Sequence, residues 1–175
     1  MKFRKSRPDG TTAAITPPGE LTLHRARSDA EFDVLRGHPE IWRLELDGRP
    51  LAELPDFGEP AYGVSFARRG AVGTFDGAEL RVSARDHLLR SRRHVEFRSG
   101  GRTLRIVRRG LAGSRLLEDG RPVARTRSRA WDSAEPDPLR VVAMAVYTWA
   151  KLNFANTDPV LRFVHCTIGT VLNGF

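Results

Sequence analysis

Cysteine is almost absent from this chain of 175 residues. The single Cys166 cannot close an internal disulfide, which leaves burial and hydrogen bonding to hold the fold and predicts a reducing compartment. Lysine is scarce as well: Lys2, Lys5 and Lys151 stand against 26 arginines. No stretch approaches the ~20 apolar residues that a membrane-spanning helix needs. The basic start, Met1-Lys-Phe-Arg-Lys-Ser-Arg7, lacks the apolar segment of roughly 7–15 residues that follows in a secretory signal. Residues 11–15 are too short and too polar to serve. Together these absences predict a cytoplasmic protein. The length, with 40% hydrophobic residues, suits one domain able to bury a core without staples.

Sequence signatures of catalysis are missing too. There is no Walker loop, no Gly-x-Gly-x-x-Gly after a strand, no Cys-x-x-Cys and no His-Glu-x-x-His. His24, His38, His87, His94 and His165 do not fall at metal-ligand spacing. His87 and His94 flank the Arg-rich stretch 90–93, but two histidines without a third ligand make no metal site. His165 and Cys166 are neighbours whose side chains diverge by about 100° on a helix, so they form no dyad, and Cys166 reads as a small apolar filler. Asp29, Glu31 and Asp33 suit a helix start, and Asp47, Asp76 and Asp119 suit turns. No catalytic residue, cofactor or metal is expected, and the chain reads as non-enzymatic.

What the sequence has in abundance is hairpin chemistry. A phrase occurs twice, as Leu44-Glu-Leu-Asp-Gly-Arg-Pro-Leu-Ala52 and Leu116-Leu-Glu-Asp-Gly-Arg-Pro-Val-Ala124. Phe75-Asp-Gly-Ala-Glu-Leu80 and Ser99-Gly-Gly-Arg-Thr-Leu104 are looser versions. Each sets Asp-Gly or Gly-Gly, which tolerate the positive φ of a type I′ turn, between alternating apolar runs. Trp42, Leu44 and Leu46 share one face, as do Tyr62, Val64 and Phe66, then Ala78, Leu80, Val82 and Ala84, then Val95 with Phe97 and Leu104 with Ile106. Such alternation predicts an antiparallel meander with one wet face. Residues 1–19 read as a disordered basic tail, 20–25 as a first strand, and 28–37 as a short helix opened by the capping box Ser28-Asp-Ala-Glu31.

After the meander, Asp137 is a natural N-cap and Pro138 suits the first turn of a helix over 138–152. Residues 141–150 carry no charge, and a helix apolar on every side is buried on every side. The economical arrangement is a mainly β fold: a meander closed into a barrel of roughly ten to twelve strands around this helix. The alternative is the same helix laid on one face of an open sheet and covered by the C-terminal segment. Asp158-Pro159 opens a second helix, in which Val160, Leu161, Val164, Ile168, Val171 and Leu172 form an apolar stripe. The domain therefore spans 20–152, with an amphipathic helical extension at 153–175.

Charge is unevenly spread. Residues 81–129 hold 15 Arg and four acids, a balance of +11, whereas the rest of the chain sums to −3. The strand at 121–130 alternates small Ala124, Thr126, Ser128 and Ala130 with Arg121, Val123, Arg125, Arg127 and Arg129. The small side faces the helix and the other is an arginine ladder. A two-residue turn at Asp119-Gly120 sets Glu118 opposite Arg121, Ser114 opposite Arg125 and Ala112 opposite Arg127, leaving Arg125, Arg127 and Arg129 without an acid on that side. The same register turns Arg115 inward, which implies a bulge, for which Gly113 is the candidate.

A long meander ending in an apolar helix resembles the tubby-like barrel superfamily, which includes the phospholipid scramblases and the plant LURP-one-related proteins. The resemblance is carried by the two Asp-Gly-Arg-Pro hairpins and the helix 141–152, and covers residues 20–152. It implies a non-enzymatic module at phospholipid or phosphoinositide head groups on a membrane face. The extension after Leu152 departs from that pattern. Arg121, Arg125, Arg127 and Arg129 are the candidate anion-binding residues, and an anionic membrane surface is the expected partner. Non-specific nucleic-acid binding is the second reading, disfavoured because Phe97 is the only aromatic within 81–129. A helix-grip, START-like carrier is the third, disfavoured because its last helix must be amphipathic.

Overall fold

The computed structural model describes residues 1–3, 11–27, 40–55, 57, 70–85, 93–109, 113–127, 130–150 and 152. Eleven strands follow one another: β1 (Thr12–Thr16), β2 (Gly19–Arg27), β3 (Glu40–Leu46), β4 (Arg49–Leu54), β5 (Ala71–Phe75) and β6 (Ala78–Arg85), then β7 (His94–Ser99), β8 (Arg102–Arg109), β9 (Gly113–Glu118), β10 (Arg121–Arg127) and β11 (Ala130–Ser133). They pair in chain order within one antiparallel sheet. All four expected hairpin tips are present. Asp47, Asp76 and Asp119 have φ of 49°, 47° and 48°, and the glycine after each is also positive, as are Gly100 and Gly101. These are the angles of a type I′ turn, whose twist matches that of the strands it joins.

Both copies of the repeated phrase fold alike beyond the turn. Glu45 faces Pro50 and Leu44 faces Ala52, so Leu51 is an extra residue on β4. Leu117 faces Pro122 and Leu116 faces Ala124, so Val123 is the extra residue on β10. Each proline sits one pair beyond the turn, where the nitrogen points toward the next strand rather than the hairpin partner. The ladders to β5 and β11 begin only at Ala52 and Ala124, so the missing N–H leaves no acceptor unpaired there. The bulge belongs at Val123, not Gly113. It turns Ala124 inward and Arg125 outward, as the alternation predicts, but sets Arg115 rather than Ser114 opposite Arg125. Arg115 is exposed and Ser114 is buried, which removes the inward-charge conflict.

The single helix among the described residues, α1 (Pro138–Trp149), ends one turn short of the expected boundary. Asp137 caps it, its side chain accepting from the Arg140 backbone N–H at 3.1 Å. Residues 141–146 have no accessible surface at all, so no water-sized cavity adjoins them. They join one core cluster to which every strand contributes, from Ala14 on β1 to Trp131 on β11, with Ala71 and Phe75 of β5 packed at its margin. A sheet whose first and last strands both join the one core cluster that holds a fully buried helix must curl toward it. Some polar groups near the core find partners: Tyr147 Oη lies 3.0 Å from Ser114 Oγ, and Trp131 Nε1 donates to Thr148 Oγ1 at 2.9 Å, whereas Ser99 Oγ and Trp149 Nε1 are buried without one among the described residues.

Two expectations are corrected. The sheet is not a closed barrel: eleven strands fall within the expected number, but β1 and β11 do not pair. What lies along β11 is the chain start, through a lone bridge between Lys2 and Ala130 and reciprocal bonds between Met1 and Trp131 of 2.6 and 2.8 Å. Residues 1–19 are also not merely a tail. Thr12–Thr16 forms β1 along β2, with Ala13 and Ala14 buried, while Phe3 packs edge-on against Trp149 at 5.5 Å. Small Ala and β-branched Thr offer little apolar area, yet fit a pleated surface and supply a full backbone ladder. The helices expected at 28–37 and 158–172 lie outside the described residues.

Deleting residues 1–16 removes the cover over Leu21 and Leu23 and the Phe3–Trp149 contact. For a chain this size ~1 kcal/mol corresponds to about 2–4 °C, so the thermal midpoint should fall by roughly 5 °C or more. An unchanged midpoint would mean that β1 adds nothing to the fold.

Candidate functional site

The register lines up arginines across the outer face of β6 to β10. Arg81 faces Arg98 and Arg85 faces His94 across β6 and β7. Glu96 faces Arg105 across β7 and β8. Val107 faces Arg115, Arg115 faces Arg125, and Arg125 faces Asp132 across β8 to β11. Arg81, Arg85, Arg98, Arg105, Arg115 and Arg125 are all exposed. Two of these pairings put like charges directly opposite, which in an antiparallel sheet is unfavourable by up to about 1 kcal/mol.

Most of that repulsion is relieved within the sheet. Arg81 meets Glu79 at 2.6 Å along its own strand. Arg98 and Arg105 each reach Glu96 at 2.6 Å. Glu96 points outward yet is only 6% exposed, because those two guanidiniums and His94, at 3.8 Å, cover it. Burial pushes its carboxyl up, but the hydrogen bonds from Arg105 and Arg98 outweigh this and hold it below the ordinary range. Arg125 reaches Asp132 at 3.3 Å across to β11. Arg85 and Arg115 have no carboxylate partner among the described residues. The face therefore carries a net excess of guanidiniums, and anions are what it can bind.

Of the residues singled out from sequence, Arg121 and Arg125 are exposed on β10. Arg121 faces Glu118 as expected, while Arg125 gains an acid from the opposite neighbour, Asp132. Arg127 ends β10 opposite Ala130, and Arg129 lies outside the described residues. The structure adds Arg85 and Arg115 to the unpaired set. Arg115 was concealed by the assumed register, and the signal that would have revealed it is the proline after each Asp-Gly-Arg, which marks the bulge.

A second charged cluster, at the N-terminus of α1, is structural. Arg102 donates to Glu118 at 2.7 Å and to Asp137 at 2.8 and 3.2 Å. Arg140 donates to Glu118 at 2.6 and 2.8 Å. Two cations and two anions close on one another and tie two hairpins to the helix start. No aromatic side chain is exposed among the described residues. No family model, curated protein or solved structure matches the chain.

Proposed function

We propose that this chain is a non-enzymatic module of the tubby-like kind whose outer face over β6 to β10 holds it against an anionic phospholipid surface. The observation that carries this reading is the Arg115–Arg125 pair, opposed in register, with only Asp132 to offset them. A lipid phosphate between two guanidiniums turns their repulsion into charge-assisted hydrogen bonds, with arginine's planar fork as the donor. One buried helix within a curled meander, among the described residues, supports the tubby-like assignment. The buried helix, with no cavity along residues 141–146, argues against a helix-grip carrier. The lack of exposed aromatics on the described surface gives bases no platform to stack on, which disfavours single-stranded nucleic acid.

Liposome sedimentation tests the proposal. Binding is expected to rise with the anionic lipid fraction and to weaken steeply with added salt. Each basic residue near such a surface contributes about 1 kcal/mol. Replacing Arg85, Arg115 and Arg125 together by Ser should therefore cost about 3 kcal/mol, roughly a hundredfold in partitioning. Equal binding to neutral and anionic vesicles would end the proposal. Salt-sensitive DNA binding without lipid binding would replace it with the nucleic-acid reading.

A further inference from the structure

We propose that the recess on the outer face of β5 to β7 binds a monoanionic carboxylate bearing a short apolar substituent. The recess encloses about 310 Å³, at the lower end of the ~300–1,000 Å³ of small-ligand sites. Ala71 and Val72 form one wall; Arg81, Ser83, Glu96 and Arg98 form the other. Val72 is 52% exposed, one of two large hydrophobic side chains left open to solvent among the described residues. Gly70 closes one end: with φ of +66°, a β-carbon there would lie 2.7 Å from the Val82 carbonyl oxygen. The wall can come this close only where the residue has no side chain.

Arg81 and Arg98 face each other across β6 and β7, and each is held by a glutamate of its own strand. Glu79 lies toward the hairpin tip and Glu96 away from it, so the two guanidiniums are drawn in opposite directions along the sheet. Their side chains remain 64% and 60% exposed. No carboxylate among the described residues lies between them. Counting Arg81, Arg98 and Arg105 against Glu79 and Glu96 leaves one positive charge. One charge suits a monoanion and disfavours a phosphate monoester, whose second charge would fall beside buried Glu96. A planar carboxylate fits the guanidinium fork, as Glu79 already shows on Arg81. The Ser83 hydroxyl offers a further donor, and Val72 receives the alkyl part.

The carboxylate could belong to a free organic acid or to a chain end of a partner, and the probes separate the two. Isovalerate, neutral isovaleramide, methyl phosphate, and a peptide ending in valine as free acid or amide are titrated into the full chain, followed by amide chemical shifts. Isovalerate or the free-acid peptide should bind at least about tenfold (1.4 kcal/mol) more tightly than its amide, and more tightly than methyl phosphate. Shifts should centre on residues 70–72, 81–83 and 96–98. Arg98→Gln should weaken binding at least tenfold. Val72→Asp, an exposed change on β5 opposite Arg81 and outside the Glu96 cluster, should do the same, so a folding defect in the first variant does not decide the result. Binding of the peptide alone supports the site and assigns it to chain ends. Amides that bind as well as acids, or the absence of saturable shifts from either acid, overturn it. Liposome binding by Arg115 and Arg125 is independent of either outcome.

Discussion

Replacing Ala145 by Asp is expected to abolish the cooperative fold. Ala145 has no accessible surface and sits midway along a helix whose neighbours on both sides are equally buried. A carboxylate placed there would sit within the apolar core cluster, on a helix whose residues 141–149 carry no cation. Breaking a buried ion pair costs ~3–5 kcal/mol, and an unpaired charge in an apolar core costs at least as much. Against a total stability of about 5–15 kcal/mol, this removes most or all of the margin. Ile15→Asp, at a position 73% exposed, is the matched control and should shift stability by no more than about 0.5 kcal/mol. Urea unfolding followed by circular dichroism separates the two. A near-normal transition for Ala145→Asp would show that this position reaches solvent and that the curled-sheet account of the core is wrong.

The parts of this architecture that were legible in advance rest on local chemistry. Asp-Gly and Gly-Gly tips dictate their own turns, Asp137-Pro138 dictates its own helix start, and the charge-free run at 141–150 dictates burial whatever covers it. Whether the sheet closes depends on contacts between the two ends of the chain, which no local pattern encodes. Strand β1 was hidden for a related reason. Residues 11–16 look too polar to leave solvent when judged by composition, but a strand next to β2 gains a backbone ladder and needs little apolar area of its own.

The arginine face shows how a small register error redistributes function. Sequence alternation put Ala124 inside and Arg125 outside correctly, because each face must be chemically uniform. The partners across the hairpin came out wrong because one extra residue, Val123, shifts every pair beyond it. Arg115 then appeared to be a buried charge, when it is one of the least neutralised cations on the surface. The same bulge at Leu51 in the first copy of the phrase supports the Arg-Pro pair as its cause rather than the surroundings of β10.

Glu118 is where acid is expected to act on stability. It holds Arg102 and Arg140 together, and the helix cap Asp137 completes the set. Hydrogen bonds from Arg102, then from Arg140, hold the Glu118 carboxyl below its ordinary range against the opposing push of burial. For Asp137, burial pushes upward most, but the bonds from Arg102 and the Arg140 backbone N–H still bring the carboxyl below its usual value. A carboxylate lowered on folding contributes stability that is present above its unfolded pKa, about 4, and is lost as pH falls through the folded value. Stability should thus be nearly level from pH 7 to about 5 and decline below about 4. Glu118→Ala leaves two guanidiniums sharing one acid. The expected cost is about 2 kcal/mol, less than for a fully buried pair, because Arg102 keeps 39% of its side chain in solvent. Glu118→Gln should reduce the acid-dependent part of the loss, since the group that titrates is gone. Urea midpoints of both proteins at pH 7 and pH 3 provide the measurement, and an identical decline in wild type and Glu118→Gln would show that this network is not what acid dissolves first.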